Sequence, residues 1–453
     1  MSRGAPRSAR DVARAVLARV DEGGAFATLA LDAELGRAEL DERDRRLAAE
    51  LVYGTLRHRP RLERALGAYA DLRRSPPAVL QALVLGAHQI LMMRTPAHAA
   101  VDDAVGAVRG RHGAKLAGFV NAVLRKLATS GEPALPVEPR ARLAVEHSLP
   151  PWIIDELAAQ VPADELAAAV AALATPAPLW VRVNTARSTD VEDTARRVAE
   201  ASAGLIAEGA TIEATPLSAT ALAVRGAGDP SISPSFQAGR WTVQDLGAQL
   251  VGALAAPVPA RVLDACAGLG GKTTHLAELG SATAGTTIHA LDRAAAKLVL
   301  LESSARRLGL SGIRTIAAEL TATTAGLDPA YDLVLLDAPC SGLGVLRRHP
   351  EAKARLTAAD LAGLAVTQAA LLDAAAARVA PGGALVYAVC TFTRAEGPEQ
   401  LAGFVARHPE FAVEPPAGAL AALAEGGALR TWPHRHGADG FFAVRLRRAM
   451  LPP

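Results

Sequence analysis

From Arg261 onward the chain alternates short apolar runs with helix-forming stretches, and this alternation most constrains the fold. Strand candidates are Arg261–Asp264, Thr287–Asp292, Ile313–Ala317, Asp332–Asp337, Ala384–Cys390 and Phe441–Leu446. Helix candidates are Lys272–Leu279, Ala294–Leu308, Thr357–Ala380 and Ala395–Arg407. Apolar strands separated by helices argue a parallel sheet covered on both faces. Ligands of such sheets bind beyond the carboxyl ends of the strands. Asp264, Asp292, Asp337 and Cys390 all fall at predicted carboxyl ends, which marks this as an active domain.

The first strand runs into VLDACAGLGGK, residues 262–272, and then into a helix starting near Lys272. Glycines let backbone approach a ligand, and a helix N-terminus presents free N–H groups. Gly268, Gly270 and Gly271 are one glycine short of a dinucleotide fingerprint, with the wrong spacing, and no Walker pattern is present. The loop alone is a weak signal; the residues downstream strengthen it.

Half of the 453 residues are apolar and 21% are charged, as in a soluble globular protein of two or three domains. The net charge of +2 is unevenly spread: residues 1–130 hold 21 Lys and Arg against 14 Asp and Glu, +7, leaving −5 for the rest. Nine arginines lie within residues 43–74: Arg43, Arg45, Arg46, Arg57, Arg59, Arg61, Arg64, Arg73 and Arg74. They make either a polyanion-binding surface or a solvated face. The start, MSRGAPRSAR, lacks the apolar core of a signal peptide. Ala78–Met93 and Leu361–Ala380 are apolar but interrupted by polar residues, so buried helices are expected and no membrane. Cys266, Cys340 and Cys390 form no CxxC pair, which fits a reducing cytoplasm; no metal is expected.

Residues 1–130 read as all-helical, with Val12, Val16, Leu17 and Val20 on one face of a first helix. Helical spacing continues through Leu47–Leu56, Leu62–Tyr69, Ala78–Met93, Ala99–Val108 and Phe119–Leu127. Gly131–Pro139 reads as a linker. Residues 140–240 read as a small α+β domain with a strand at Trp180–Asn184, a helix at Thr189–Ser202 and short strands within 211–225; residues 241–453 form the third domain. The middle part could be no more than a spacer.

Several residues could do chemistry. Asp292 can accept hydrogen bonds from ribose hydroxyls or cap the following helix, and Glu319, after the third strand, is a weaker candidate for the same ligand. In Asp337-Ala-Pro-Cys340, the proline stiffens a strand-end loop and aims the thiol outward. Cys390 ends the strand ALVYAVC, so two thiols at strand ends of one sheet can face one pocket. Thiols with an ordinary pKa of about 8.5 need a positive or polar surround to act; Lys272, Arg347 and Arg348 are candidates. Cys266 reads as lining of the glycine loop.

Together, DACAGLGGKTTHLAE, DAPCSG, YAVCTFT and HGADGFFAVRLRR resemble the cofactor loop, the two cysteine motifs and the C-terminal strand of the Sun (NOL/NOP2/Sun) family of RNA cytosine-C5 methyltransferases. RDVARAVLARV, DRRLAAELVYGTLRHRPRLERAL, AVDDAVGAV and GFVNAVLRKL resemble the NusB fold, an RNA-binding helical bundle. With this front domain, the resemblance is to the family's bacterial group acting on small-subunit ribosomal RNA. It implies an α/β architecture: a Rossmann-like S-adenosylmethionine-dependent sheet, an N-terminal all-α NusB-like bundle and a small α+β middle domain. It implies that Cys266, Ala267, Gly268, Leu269, Gly270, Gly271, Lys272, Asp292, Glu319 and Asp337 bind S-adenosylmethionine. Catalysis falls to Cys390, Cys340 and Asp337, with Cys390 the nucleophile and Cys340 assisting product release. The residues alone do not choose between the thiols, because DNA enzymes attack from the proline–cysteine position. Two departures stand: Gly268-Leu269 where the family has Ala-Pro, and Glu319 where it has Asp. The expected partner is ribosomal RNA of the small subunit, and the expected state a monomer. The competing readings are a non-catalytic RNA-binding assembly factor and a methyltransferase for a protein or small molecule, neither of which needs both cysteines.

Overall fold

The computed structural model describes residues 8–450 apart from 187, 189, 282–284 and 323–325. The expectation for the extreme N-terminus therefore lies largely outside the described residues. Two compact units result. One runs to Thr175 and takes in Leu346–Leu356; the other comprises Pro176–Val345 and the chain from Thr357 on.

The first unit is helical: Ala9–Gly23, Ala27–Leu35, Glu42–Gly67, Pro77–Leu91 and Ala97–Ser130, then Pro139–Glu146, Pro151–Ala158 and Leu166–Leu173. Val12, Val16, Leu17 and Val20 are buried with Leu31, Leu51 and Val52. The runs of helical spacing Leu47–Leu56 and Leu62–Tyr69 fall largely in one helix, which continues through Pro60. An interior proline costs about 3 kcal/mol. Leu51, Val52, Leu62 and Leu66 are all buried, and at roughly 1.5–3 kcal/mol each they outweigh it. At Gly113 (φ +80°) the opposite happens, and Ala97–Ser130 breaks into two helices.

This unit extends past the boundary expected at residue 130. The expected linker is strapped to it: Arg61 pairs with Glu132, Arg64 donates to the carbonyls of Pro133 and Ala134, and the Tyr69 hydroxyl to that of Gly131. Several of the nine arginines are thereby spent inside the unit. Arg59 pairs with Asp21 and Glu63, and Arg57 is buried. The segment Leu346–Leu356, which follows the Cys340 loop, is equally embedded. Glu351 Oε1 accepts the Ala27 N–H at 3.0 Å, Lys353 Nζ donates to the Arg57 carbonyl, and Arg355 donates to the Ala25 carbonyl at 2.6 Å. Burial, with Arg57 adding to it, lowers Lys353 to about 7.

The second unit holds two sheets. The smaller has β1 (Leu179–Val183), β2 (Thr211–Thr215), β3 (Ser218–Arg225) and β4 (Trp241–Val243), antiparallel in the order β2-β3-β1-β4. Helix Val191–Ala207 covers it; its expected start, Thr189, lies outside the described residues. The larger has β5 (Arg261–Asp264), β6 (Thr287–Asp292), β7 (Ile313–Ala317), β8 (Tyr331–Asp337), β9 (Val379–Val389), β10 (Phe411–Glu414), β11 (Ala424–Glu425), β12 (Ala428–Thr431) and β13 (Phe441–Arg448). Strands β9-β8-β5-β6-β7 run parallel; β13 lies antiparallel beside β9, followed by β12 and β11, and β10 pairs with β13. The parallel core matches the expected strands, whereas β10–β12 were not anticipated. Helix Ala358–Ala376 is long and apolar enough to cross a membrane by length and composition alone. It packs on the sheet through Leu371, Leu372, Ala375 and Ala376, as expected of a sheet-covering helix.

Candidate active site

In the parallel register Asp264 lies opposite Ala290, Asp292 opposite Ala317 and Asp337 opposite Ala388, so the chosen residues gather at one end of the sheet. The glycine loop continues the sheet's bonding on both sides, with Ala265 N–H donating to Leu335 and Ala267 N–H to Leu291, both at 2.8 Å. Gly268 (φ +56°) and Gly270 (φ +85°) are left-handed, and a Cβ on Gly270 would sit 2.3 Å from Leu301 Cγ. Around Gly268 the space is open, so backbone can face a ligand there. Leu269 is exposed and Ala267 buried.

Gly271 opens helix Gly271–Gly280, and its carbonyl is held by a residue the sequence did not single out. Arg182, on β1 and 1% exposed, donates to the Gly271 carbonyl at 3.0 Å and pairs with both oxygens of buried Glu278, at 2.7 and 2.9 Å. Gln244 donates to the same carbonyl at 3.1 Å. The middle sheet thus anchors the glycine loop, which is more than a spacer does.

Asp292 braces the loop against the helix entry with both of its oxygens. Its Oδ1 accepts the Ala294 N–H at 2.8 Å at the helix entry, and its Oδ2 accepts the Gly268 N–H at 2.9 Å. Asp264 is 1% exposed; Oδ2 accepts from the Thr273 hydroxyl at 2.6 Å, while Oδ1 lacks a hydrogen bond of good geometry. Burial raises its pKa to about 7, opposed by the Thr273 bond. Lys272 Nζ lies 2.6 Å from Asp337 Oδ2 and 5.1 Å from the centre of the Phe441 ring. Burial works to lower Lys272, but the charge and bond of Asp337, with Cys390 and Asp264, raise it on balance, so it is held as a cation. Glu319 is exposed beyond β7. Burial, reinforced by Asp264, Asp337 and Asp292, lifts the Cys266 thiol to about 12, in keeping with a lining role.

The other two sulfurs meet: Cys340 Sγ and Cys390 Sγ are 3.4 Å apart. The bond to Cys390, then burial, then the charges of Cys390 and Glu396 push the Cys340 thiol well above its ordinary range. The Cys390 carbonyl accepts the Gly344 N–H at 3.0 Å, and the Gly344 carbonyl the Gly440 N–H at 2.9 Å. A Cβ on Gly344 would lie 1.9 Å from the Gly440 oxygen, so only glycine permits this contact. Of the proposed positive neighbours, Lys272 feels the charge of Cys390; Arg347 and Arg348 lie in the segment that belongs to the helical unit. Glu396, fully buried beneath both cysteine loops, went unnoticed in the sequence, where nothing in TRAEG distinguishes it.

A small polar cofactor fits this end of the sheet. The left-handed Gly268 leaves open space above the loop, a helix N-terminus faces it, Asp264 Oδ1 is unsatisfied and Asp337 is partly exposed.

Comparison with known proteins agrees with this arrangement. Residues 253–447 match the family described as 16S rRNA methyltransferase RsmB/F, residues 7–129 the NusB family, and residues 149–229 the ferredoxin-like domain of RsmF/B-like methyltransferases. The ribosomal RNA small subunit methyltransferase B of Xylella fastidiosa is 37% identical, over 96% of this chain and 99% of that protein. The enzyme of the same name from Xanthomonas campestris is 35% identical, over 98% and 97%. The crystal structure of PH0851, 23% identical, has the same fold, with a TM-score of 0.80 over 96% of this chain and 98% of that one. With full-length relatives above 30% identity and a matching site domain, the chain belongs to the RsmB/F family of 16S rRNA methyltransferases.

Proposed function

We propose that this enzyme methylates C5 of a cytosine in small-subunit ribosomal RNA, through a covalent bond between Cys390 and C6. The observation that carries this reading is the pair of thiols, 3.4 Å apart at the ends of adjacent parallel strands, with the Lys272 cation coupled electrostatically to Cys390. Neither protein nor small-molecule methylation calls for two thiols in contact.

C5 of cytosine is a poor nucleophile. Addition of the Cys390 thiolate to C6 pushes electron density onto C5, and Lys272 stabilises the thiolate before attack. Bound S-adenosylmethionine supplies an electrophilic methyl group. The glycine loop from Cys266 to Lys272 and Asp292 would hold it, with Glu319 and Asp337 at its edges. Asp337 also suits a hydrogen bond to the amino group or N3 of the base, which favours addition. Afterwards the C5 proton must leave so that the sulfur–C6 bond can break and the ring double bond re-form. Cys340 suits this moment: once Cys390 is bonded to carbon, the contact that most raises the Cys340 thiol is gone, so Cys340 can give its own proton to water and, as thiolate, take the C5 proton while the Cys390 sulfur leaves C6 with the bonding pair. C5 and C6 are reachable only in an unpaired or extruded base.

The helical unit supplies an RNA grip, by our reading, along a different surface from the arginine run. Arg109, Arg111 and Lys115 are exposed around the Gly113 break. Bisulfite sequencing of unmodified small-subunit RNA after incubation with the enzyme and S-adenosylmethionine tests the reaction class. One newly protected cytosine is expected; methyl incorporation without any protected cytosine would overturn it.

A further inference from the structure

We propose that Glu396 is the positioning residue that gives the two thiols unlike roles, by clamping the Cys340 loop to the Cys390 loop and setting a negative charge on the Cys340 side. This rests on the reaction proposed above and names what makes its thiols unequal.

Glu396 is 0% exposed and accepts four hydrogen bonds. Oε1 takes the Ser341 N–H at 2.7 Å and the Gln368 amide at 3.0 Å; Oε2 takes the Ser341 hydroxyl at 2.5 Å and the Thr393 hydroxyl at 2.9 Å. Ser341 follows Cys340 and Thr393 lies three residues after Cys390, so one carboxylate joins both loops. Gln368 also donates to the Pro339 carbonyl at 3.0 Å, which pins Cys340 from its other side. The Ser341 and Thr391 hydroxyls are 2.9 Å apart, closing the network across the loops. Its four bonding sites all face donors, and two of these, a backbone N–H and an amide NH₂, cannot accept. That set suits an ionised, acceptor-only carboxylate. Among the described residues no cation pairs with Glu396, and a buried charge of that kind persists only when hydrogen bonds satisfy it fully, as here.

The charged and titratable groups around the sulfurs divide accordingly. Lys272, held by Asp337, interacts electrostatically with Cys390. Glu396 acts on Cys340, and the Tyr387 hydroxyl, which donates to the Glu396 carbonyl at 2.6 Å, is itself raised by burial, Cys340 and Glu396. With the Glu396 carboxylate bonded to Ser341, next to Cys340, the proposal places the proton shared by the two sulfurs on Cys340. Cys390 is left to attack, and Cys340 stays out of the first step.

The test uses the full-length protein without RNA. Each cysteine's alkylation by iodoacetamide is followed by mass spectrometry across pH, in the wild type, Glu396→Gln and Glu396→Asp. Removing the charge should speed Cys340 alkylation about tenfold at pH 8, since the thiolate alone reacts and a nearby charge moves a pKa by one unit or more. Glu396→Asp, which keeps the charge, should leave Cys340 slow. Unchanged Cys340 reactivity in a folded Glu396→Gln protein would make Glu396 a loop staple only and overturn the proposal. If Glu396→Gln does not fold, Thr393→Val carries the test. With one donor fewer the carboxylate is less compensated, so Cys340 should react more slowly; an equal or faster rate overturns the proposal. Because alkylation needs no RNA, a shifted thiol profile in a protein that modifies no cytosine would defeat the proposed reaction alone. Cytosine methylation with thiols indifferent to Glu396 would defeat this proposal alone.

Discussion

On the glycine-loop side of the site, charges come in pairs: buried Arg182 with buried Glu278, and Lys272 with the partly exposed Asp337. On the thiol side, Glu396 is buried among neutral donors. The difference follows from what each side must do. Paired charges fix a backbone loop while leaving little net field, which suits the approach of a charged cofactor. An unpaired charge leaves a field, and a field is what makes two identical thiols chemically different.

Breaking a pair should produce the largest loss of stability. Arg182→Met strands Glu278 in the interior, and about 3–5 kcal/mol is expected by denaturant unfolding. Adding Glu278→Met should recover much of that loss; a double variant as unstable as the sum of the singles would show that the two side chains act separately.

Next comes Asp264. Its folded pKa of about 7 lies above the unfolded value near 3.9. The folded state therefore holds its proton more tightly, and stability falls as pH rises between about 4 and 7. Asp264→Asn should flatten that part of the stability profile, and an unaltered slope would assign the titration elsewhere.

The glycine loop gives smaller effects. Gly270→Ala meets both the left-handed backbone and Leu301, with an expected loss of about 1–3 kcal/mol. Asp292→Ala should weaken S-adenosylmethionine binding by a similar amount in calorimetry; unchanged affinity would reduce Asp292 to a brace between loop and helix.

The smallest effect distinguishes surface from structural arginines. Neutralising Arg109, Arg111 and Lys115 together should lower the slope of log affinity for RNA against log salt by about 2, at roughly 0.7 for each phosphate no longer neutralised. Arg59→Ala, which breaks internal pairs, should lower stability and leave the slope alone. Deleting residues 1–130 is the poorer experiment, because it would uncover Glu351 and Lys353, which are buried within that unit.

The strand-end residues were legible because they sit where an apolar run stops, and a parallel sheet puts all such stops at one end. Cys340 and Cys390 were legible for the same reason. Strands β10–β12, of two to four residues, were not. Arg182 reaches Glu278 across 96 residues, and Glu396 reaches Ser341 across 55. Neither spacing has a local signature. Arg347, offered from the sequence as a neighbour of the thiols, is instead buried with Glu351 and Lys353 in the helical unit, where Ala27 and Arg57 supply backbone partners to the two latter residues.

The central claim is that the thiols act at different moments, and trapping of the covalent species tests it most directly. Labelled RNA, S-adenosylmethionine and enzyme are mixed, denatured and run on a gel. Cys340→Ala should accumulate a denaturant-resistant RNA–protein adduct, because attack proceeds and release stalls. Cys390→Ala should show neither adduct nor turnover. An adduct in Cys390→Ala and none in Cys340→Ala would reverse the assignment, and turnover surviving in both would contradict the covalent mechanism itself.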